Sequence, residues 1–449
     1  MKKFILFGLV NLLICSLVGA DQAAPRQLPR VAPEMLSAGY WVAQHPSPDR
    51  AVMQEAQIKA FNANIRAELK LTKDIFSLVN NLQMESLLET LKKNIVDYAD
   101  KGYYLADGTQ EDQVFVDRMK KNMHLSALVL GVMPRYGLIV SFANQRFFPT
   151  KEGLYAKRGD TDFDELQNSA LDVGTAVAVV HTSLDGKWSY VLSALSDGWV
   201  ESDKIALADA AVVRSYVEPK DFVVITAHKT DIFLDSTMTS VYHFARMGNK
   251  FPLLAVTDGQ WVVQVPHKAK DGKIELIKGY IAKEAAHAGY LPYTPRVIYN
   301  QAFKLLDRPY GWGDMNGEQD CSRFLQMVYA TVGLEFPRDS KNQAQVGAAL
   351  AVFDDKAVNQ EKTEHLQKAV GATTILQLKG HIMLYLGMVA GVPYAIHATS
   401  GYTQTIDEKQ VKFVLNRVVV SDLSLGENST RGSLLRRLIK IVGVMHDAN

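Results

Sequence analysis

Two stretches of this chain run through the same series of residues, and that repeat limits what the chain can fold into. "HTSLDGKWSYV" (181–191) is echoed by "LAVTDGQWVVQV" (254–265), which aligns Asp185-Gly186-Lys187-Trp188 with Asp258-Gly259-Gln260-Trp261. An Asp-Gly pair between β-branched runs is a hairpin signal, because glycine accepts the positive φ that a tight turn demands. Further on, "DGWVESDKIA" is echoed by "KGYIAKEAA", with Trp199 and Tyr280 in matching places and a longer loop, "PHKAKDGKIELIK", in the second copy. The runs "GLIVSF" (137–142), "TAVAVVHTS" (175–183), "FVVITAHK" (222–229) and "WVVQV" (261–265) have the length and texture of short strands. The expectation is two tandem small β-barrels, 126–212 and 213–290, with the aromatic residues filling their cores or rims.

The flanks have other textures. Residues 1–20 open with Lys2 and Lys3, continue in an apolar run and end at Val18-Gly19-Ala20, the pattern of a cleaved secretory signal peptide. A lipoprotein signal would use Cys15, but Ile14 stands where such signals want a small residue. Residues 21–125 read as an extended Pro-, Ala- and Gln-rich lead-in followed by helices. Their apolar faces are Ile58, Phe61, Ile65 and Leu69, then Met84, Leu87, Leu88, Leu91 and Ile95. No later apolar run approaches the roughly 18 residues of a membrane span, so an exported, soluble protein of the periplasm or cell envelope is expected. With 49 Lys plus Arg against 48 Asp plus Glu, nothing favours nucleic acid as a partner.

Cleavage after residue 20 would leave Cys321 as the sole cysteine, so it cannot be a structural staple within the chain. It sits in "GEQDCSRFLQMVYATVG" (317–333), where Phe324, Leu325, Val328, Tyr329 and Val332 mark an amphipathic helix closed by Gly333. A cysteine in the first turn of a helix meets free N–H groups and the positive end of the helix dipole. Both lower a thiol's pKa and favour thiolate. Just upstream, Tyr310-Gly311-Trp312-Gly313 forms a tight aromatic turn.

A nucleophilic sulfur also wants an imidazole. His381 opens the buried run "HIMLYLG" and His397 ends "PYAIHA", with a hairpin turn in "GMVAGVP" between them. Pairing symmetric about Val389 would set His381 directly opposite His397, both on one face of the sheet. One ring would act on the sulfur and the other would orient its neighbour. Cys plus two His is also a zinc donor set, but neither a C-x2-C nor an H-x3-H spacing is present. No metal and no other cofactor is expected.

At these residues the chain resembles the NlpC/P60 cysteine peptidases, through "YGWGDMNGEQDCSRF", "EFPRDSKNQAQVG", "GHIMLYLG" and "YAIHATS", spread over residues 295–420 of an expected domain 291–449. The tandem barrels resemble bacterial SH3 domains. The resemblance implies an α+β fold: a papain-like catalytic domain preceded by two SH3-like barrels and an N-terminal helical region. It implies Cys321 as nucleophile, His381 as base and His397 as orienting member. The whole arrangement resembles γ-D-glutamyl-L-diamino acid endopeptidases, which cut murein peptides bearing a free N-terminal L-Ala. In that subgroup the positions of Asp320, Ser322, Arg338 and Ser340 line the substrate site, and Tyr310 would wall the cleft.

Asp320 has the charge to pair with an α-ammonium, and Arg338 can hold a carboxylate or orient the loop. Asp320 and Ser322 equally suit helix capping, and Arg338 a surface ion pair. Two residues depart from the family pattern: Arg323, where a small residue is usual, and Asp314, where glycine is usual. The first barrel of relatives lends an aromatic residue to the site, for which "SDGWV" (196–200) is the candidate here. Two rival functions share these residues: a catalytically inactive murein-binding protein, and an amidase or acyltransferase using the same triad.

Overall fold

The computed structural model describes residues 22–23, 27–80, 84–99, 101–128 and 134–445. The expected signal peptide lies outside the described residues. Three seven-stranded sheets dominate the rest.

The first sheet is built from strands between Arg135 and Leu207, the second from strands between Phe222 and Ala288. Counted from the first strand of each unit, both sheets run third, second, sixth, fifth, fourth, first, seventh. The repeat read in the sequence is therefore a repeat of topology. Trp188 and Trp261 fall in the fifth strand of their units, and Trp199 and Tyr280 in the sixth. Trp188, Trp199 and Trp261 are buried, as residues that fill a small barrel should be.

The third sheet is C-terminal. Its strands are β1 (Ala348–Val352), β2 (Thr374–Leu378), β3 (His381–Val389), β4 (Val392–Ile406), β5 (Lys409–Asp422) and β6 (Leu438–Gly443). They lie in the order β5-β4-β3-β2-β6-β1, and Gln22–Ala23 adds a short parallel strand beside β5.

Residues 21–125 do not close on a core of their own among the described residues. Leu28, Val31, Met35, Trp41, Val42 and Met53 share one apolar cluster with the C-terminal sheet, as do Phe61 and Ile65 of helix α1 (Glu55–Ala67). Trp41 anchors this wrap: its Nε1 donates to the Met35 carbonyl at 2.8 Å, and its ring packs against Tyr394. Helices α2 (Met84–Tyr98) and α3 (Gln113–Met123) instead bury Leu87, Leu91, Phe115 and Met119 against the first barrel. The expected lead-in is thus part of the C-terminal core, and the expected helical domain is divided between two bodies. Periodicity reports that a face is apolar; it does not say which distant surface covers it.

Helix α4 (Pro295–Lys304) is capped by Thr294, whose hydroxyl accepts from the Val297 N–H, and packs Ile298 and Ala302 into the same core. It is followed by the aromatic turn and by helix α5 (Cys321–Ala330), which lies on the sheet with Phe324, Leu325 and Val328 fully buried.

Candidate functional site

Cys321 is the first residue of α5. Asp320 caps the helix, its carboxylate accepting from the Arg323 N–H at 2.8 Å. The thiol is 9 % exposed. Its sulfur is approached by the backbone N–H groups of Ile382 and Ser322. Ile382 follows His381 in β3, so this contact holds the sulfur beside the strand that carries the candidate base.

The β3–β4 register differs from the symmetric pairing expected about Val389. Val389 pairs with Val392 and Gly387 with Tyr394; past a bulge at Leu386, Leu384 pairs with Ile396. The turn is Ala390-Gly391, at φ 48° and 79°, the left-handed pair that a two-residue hairpin requires. Carried back to His381, this register points at Thr399, two residues beyond His397. The even offset keeps both rings on one face, and diagonal neighbours remain within reach of ring-bearing side chains. His381 Nε2 lies 2.8 Å from His397 Nδ1, and His397 Nε2 lies 3.0 Å from Ser421 Oγ in β5. Ser421 was not visible in the sequence as a site residue: it is one buried serine in the run "VVVSD", and only the β4–β5 register brings it under His397.

The chain of contacts fixes what each ring can do. If His381 Nε2–H donates to His397 Nδ1, then His397 Nε2–H donates to Ser421 Oγ. His381 Nδ1 is then left with a lone pair, the state a general base needs.

The electrostatics reverse one expectation. Burial, reinforced by the charge of Asp320, pushes the Cys321 thiol up to about 12 despite its two N–H contacts. Burial, with the positive charge of Arg437, pushes His381 down to about 4. Burial and the neighbouring His381 drive His397 well below the ordinary imidazole value. The resting pair is therefore a neutral thiol and a neutral imidazole; the helix start does not outweigh desolvation and an adjacent carboxylate.

The other expected site residues fall into two groups. Arg338 is buried, with Nη2 2.7 Å from Asp320 Oδ2, Nη1 2.8 Å from Ser322 Oγ and Nε 2.9 Å from Ser169 Oγ of the first barrel. It is neither a surface ion pair nor a free carboxylate clamp, because its donors hold Asp320 and Ser322 in place. Tyr310 is half-buried near Asp320 and Cys321, whose charges add to burial in raising its hydroxyl pKa. Ser340 opens the short helix Ser340–Gln343 and is partly exposed.

The two departures from the family pattern face each other. Asp314 is fully buried, and its carboxylate lies 3.4 Å from Arg338, 3.7 Å from Arg323 and 3.9 Å from Arg246. Arg246, from the second barrel, forks onto Asp172 of the first at 2.7 and 3.0 Å, and Arg323 also binds Asp172. Three arginines and three aspartates (172, 314 and 320) thus join both barrels to the helix that begins at Cys321. Asp314 sits at φ 68°, in the left-handed region, which is why glycine suits this position.

Of the aromatic residues of the first barrel, Phe163 and not Trp199 of "SDGWV" lies beside the aromatic turn. Trp199 is fully buried beside Tyr190 and His181, whereas Phe163 reaches Trp312 at 5.6 Å and Tyr310 at 6.4 Å. No cluster of three or more metal-ligating side chains occurs among the described residues, and none of their helices is long and apolar enough to cross a membrane.

Residues 307–420 match the NlpC/P60 family, and residues 154–201 match the SH3 domain of SH3b1 type. Among solved structures, an NlpC/P60 endopeptidase from Photobacterium damselae subsp. piscicida has the same fold. It superposes with a TM-score of 0.77 at 18 % identity, over 95 % of this chain and 99 % of that one. An NlpC/P60 family protein from Bacillus cereus gives 0.47 at 15 % identity, over 69 % of this chain and 99 % of that one. No curated protein sequence matches at a significant level.

Proposed function

From a chain whose C-terminal part is an NlpC/P60 domain, and so supports a cell-wall peptidase of the cysteine type, we propose an exported endopeptidase. It cuts the γ-D-glutamyl-L-diamino acid bond of murein peptides bearing a free N-terminal L-Ala. The observation that carries this reading is the chain of contacts His381–His397–Ser421, carried on the strand whose Ile382 N–H approaches the Cys321 sulfur. His381 Nε2 lies 2.8 Å from His397 Nδ1, and His397 Nε2 lies 3.0 Å from Ser421 Oγ.

The chemistry follows from the neutral resting state. As sulfur attacks the γ-carbonyl carbon, His381 Nδ1 takes the thiol proton, and the imidazolium is stabilised through His397 and Ser421. The carbonyl oxygen, now negative, rests against the backbone N–H at the start of α5. His381 returns the proton to the leaving amine, the C–N bond breaks, and a thioester to the glutamyl carbonyl remains. Water deprotonated by the same imidazole attacks the thioester and regenerates the thiol.

Asp320 and Ser322, held by Arg338, form the wall for the amino end of the substrate. Tyr310, Phe163 and Ser340 complete the cleft, and no cofactor is required.

The test is a digest of L-Ala-γ-D-Glu-diaminopimelate, with its amino end free or acetylated, read by mass spectrometry. The wild type should release L-Ala-D-Glu only from the free peptide, and Cys321→Ala should release none while keeping its circular dichroism. Folded wild type that binds murein but cuts neither peptide would favour the inactive binding protein. Products cut or joined at another bond would favour the amidase or acyltransferase.

A further inference from the structure

Most of the arginines close to the nucleophile are committed: Arg246, Arg323 and Arg338 all face buried carboxylates. Arg437 is different. It immediately precedes β6, whose first residue, Leu438, pairs with Leu378, and Leu378 pairs with His381. Arg437 therefore lies at the same end of the sheet as the candidate base, two strands away. A side chain of arginine's length can bridge that spacing.

Arg437 is half-buried, and among the described residues its guanidinium has neither an ion-pair partner nor a hydrogen-bond acceptor. Its surroundings add positive charge: Lys379 sits in the turn leading into His381, and Arg431 and Arg436 share the loop before β6. The field of Arg437 is felt at both imidazoles, which it helps keep neutral. A partly desolvated guanidinium without a carboxylate is costly to keep, and its planar fork is matched to a carboxylate ligand.

The proposed reaction puts a carboxylate nearby. His381 hands its proton to the leaving α-amine, and in a diamino acid the carbon bearing that amine also bears the α-carboxyl group. We propose that Arg437 receives this α-carboxylate of the departing diamino acid, and so makes the enzyme prefer substrates in which it is free. The inference rests on His381 acting as the base of the reaction above. It gives the carboxylate-binding part to Arg437 rather than to Arg338, whose donors are already engaged.

The test pairs two peptides, L-Ala-γ-D-Glu-diaminopimelate and its α-carboxamide, against wild type, Arg437→Gln and Arg437→Lys. Wild type should favour the free acid by about tenfold or more in kcat/KM, mainly through KM, as expected for one charge-assisted contact. Arg437→Gln should lose that preference while cutting the amide within about twofold of wild type, and Arg437→Lys should restore part of it. Unchanged circular dichroism and an unchanged rate of Cys321 alkylation would show an intact site. A similar loss on both peptides, or an undiminished preference in Arg437→Gln, overturns the inference alone. A wild type that cuts neither peptide overturns the hydrolase reading and this inference with it.

Discussion

Replacing Asp314 with glycine and Arg323 with alanine restores the residue types usual in the family, and the structure predicts that the two changes are far better together than apart. Arg323 Nε lies 3.7 Å from Asp314 Oδ2, with 12 % and 0 % of the two side chains exposed. At that separation the attraction is about 4 kcal/mol for an effective dielectric near 20, which roughly offsets the desolvation of both groups. Asp314 alone makes no hydrogen bond through either oxygen, and burial raises its pKa while burial lowers that of Arg323.

Asp314→Gly leaves three arginines facing two aspartates, and Arg323→Ala leaves the reverse. Each single change should cost about 3 kcal/mol from an uncompensated buried charge, with about 1 kcal/mol returned at Asp314→Gly by relief of its left-handed backbone. The double variant keeps two well-made pairs, Arg246–Asp172 and Arg338–Asp320, at 2.7 Å each. It should therefore recover about 2–3 kcal/mol of the summed losses, a coupling of the size seen for contacting charges. Urea unfolding of the four proteins measures it. Losses that add to within about 0.5 kcal/mol would show that the two residues do not compensate each other, and the buried-cluster argument would fall.

Alkylation of Cys321 by iodoacetamide should climb about tenfold per pH unit between pH 7 and 10, because a thiol raised to about 12 stays protonated throughout that range. A plateau at neutral pH would instead reveal a thiolate–imidazolium pair. On the acid side, His381 at about 4 and His397 well below its ordinary value contribute stability that is complete above about pH 6.5 and is lost as pH falls toward the folded values. His381→Gln should flatten part of that slope in pH-dependent urea midpoints, and an unaltered slope would refute the assignment. Ser421→Ala should lower kcat about tenfold with little change in KM, since His397 Nε2 loses its buried partner; an equal rise in KM would point to general disorder of the cleft.

How much of this was readable beforehand depends on the range of the interaction. The α5 helix with Cys321 at its start and the duplicated strand–turn–strand units follow from local pattern, and the sequence shows both. Placing both histidines on one face needed only an even register, which survives the bulge at Leu386; direct opposition needed the full pairing, which the bulge changes. Ser421, Phe163 and the partners of Arg338 come from strands and loops far along the chain, where composition carries no record of contact. The direction of the Cys321 shift was missed for a similar reason. The helix terminus is local and visible, whereas the burial that outweighs it is supplied by distant strands.

The wrap of Trp41 and Phe61 around the C-terminal sheet, and the interior position of β6 between β2 and β1, have a consequence in time. A ribosome makes the wrap long before β6, yet both complete the same core. The sheet that carries His381 and His397 is not filled in until β6 has joined it between β2 and β1. A product that stops short of β6 therefore lacks part of the core beneath Cys321, and on the function proposed above its late closure would delay the activity until that strand is in place.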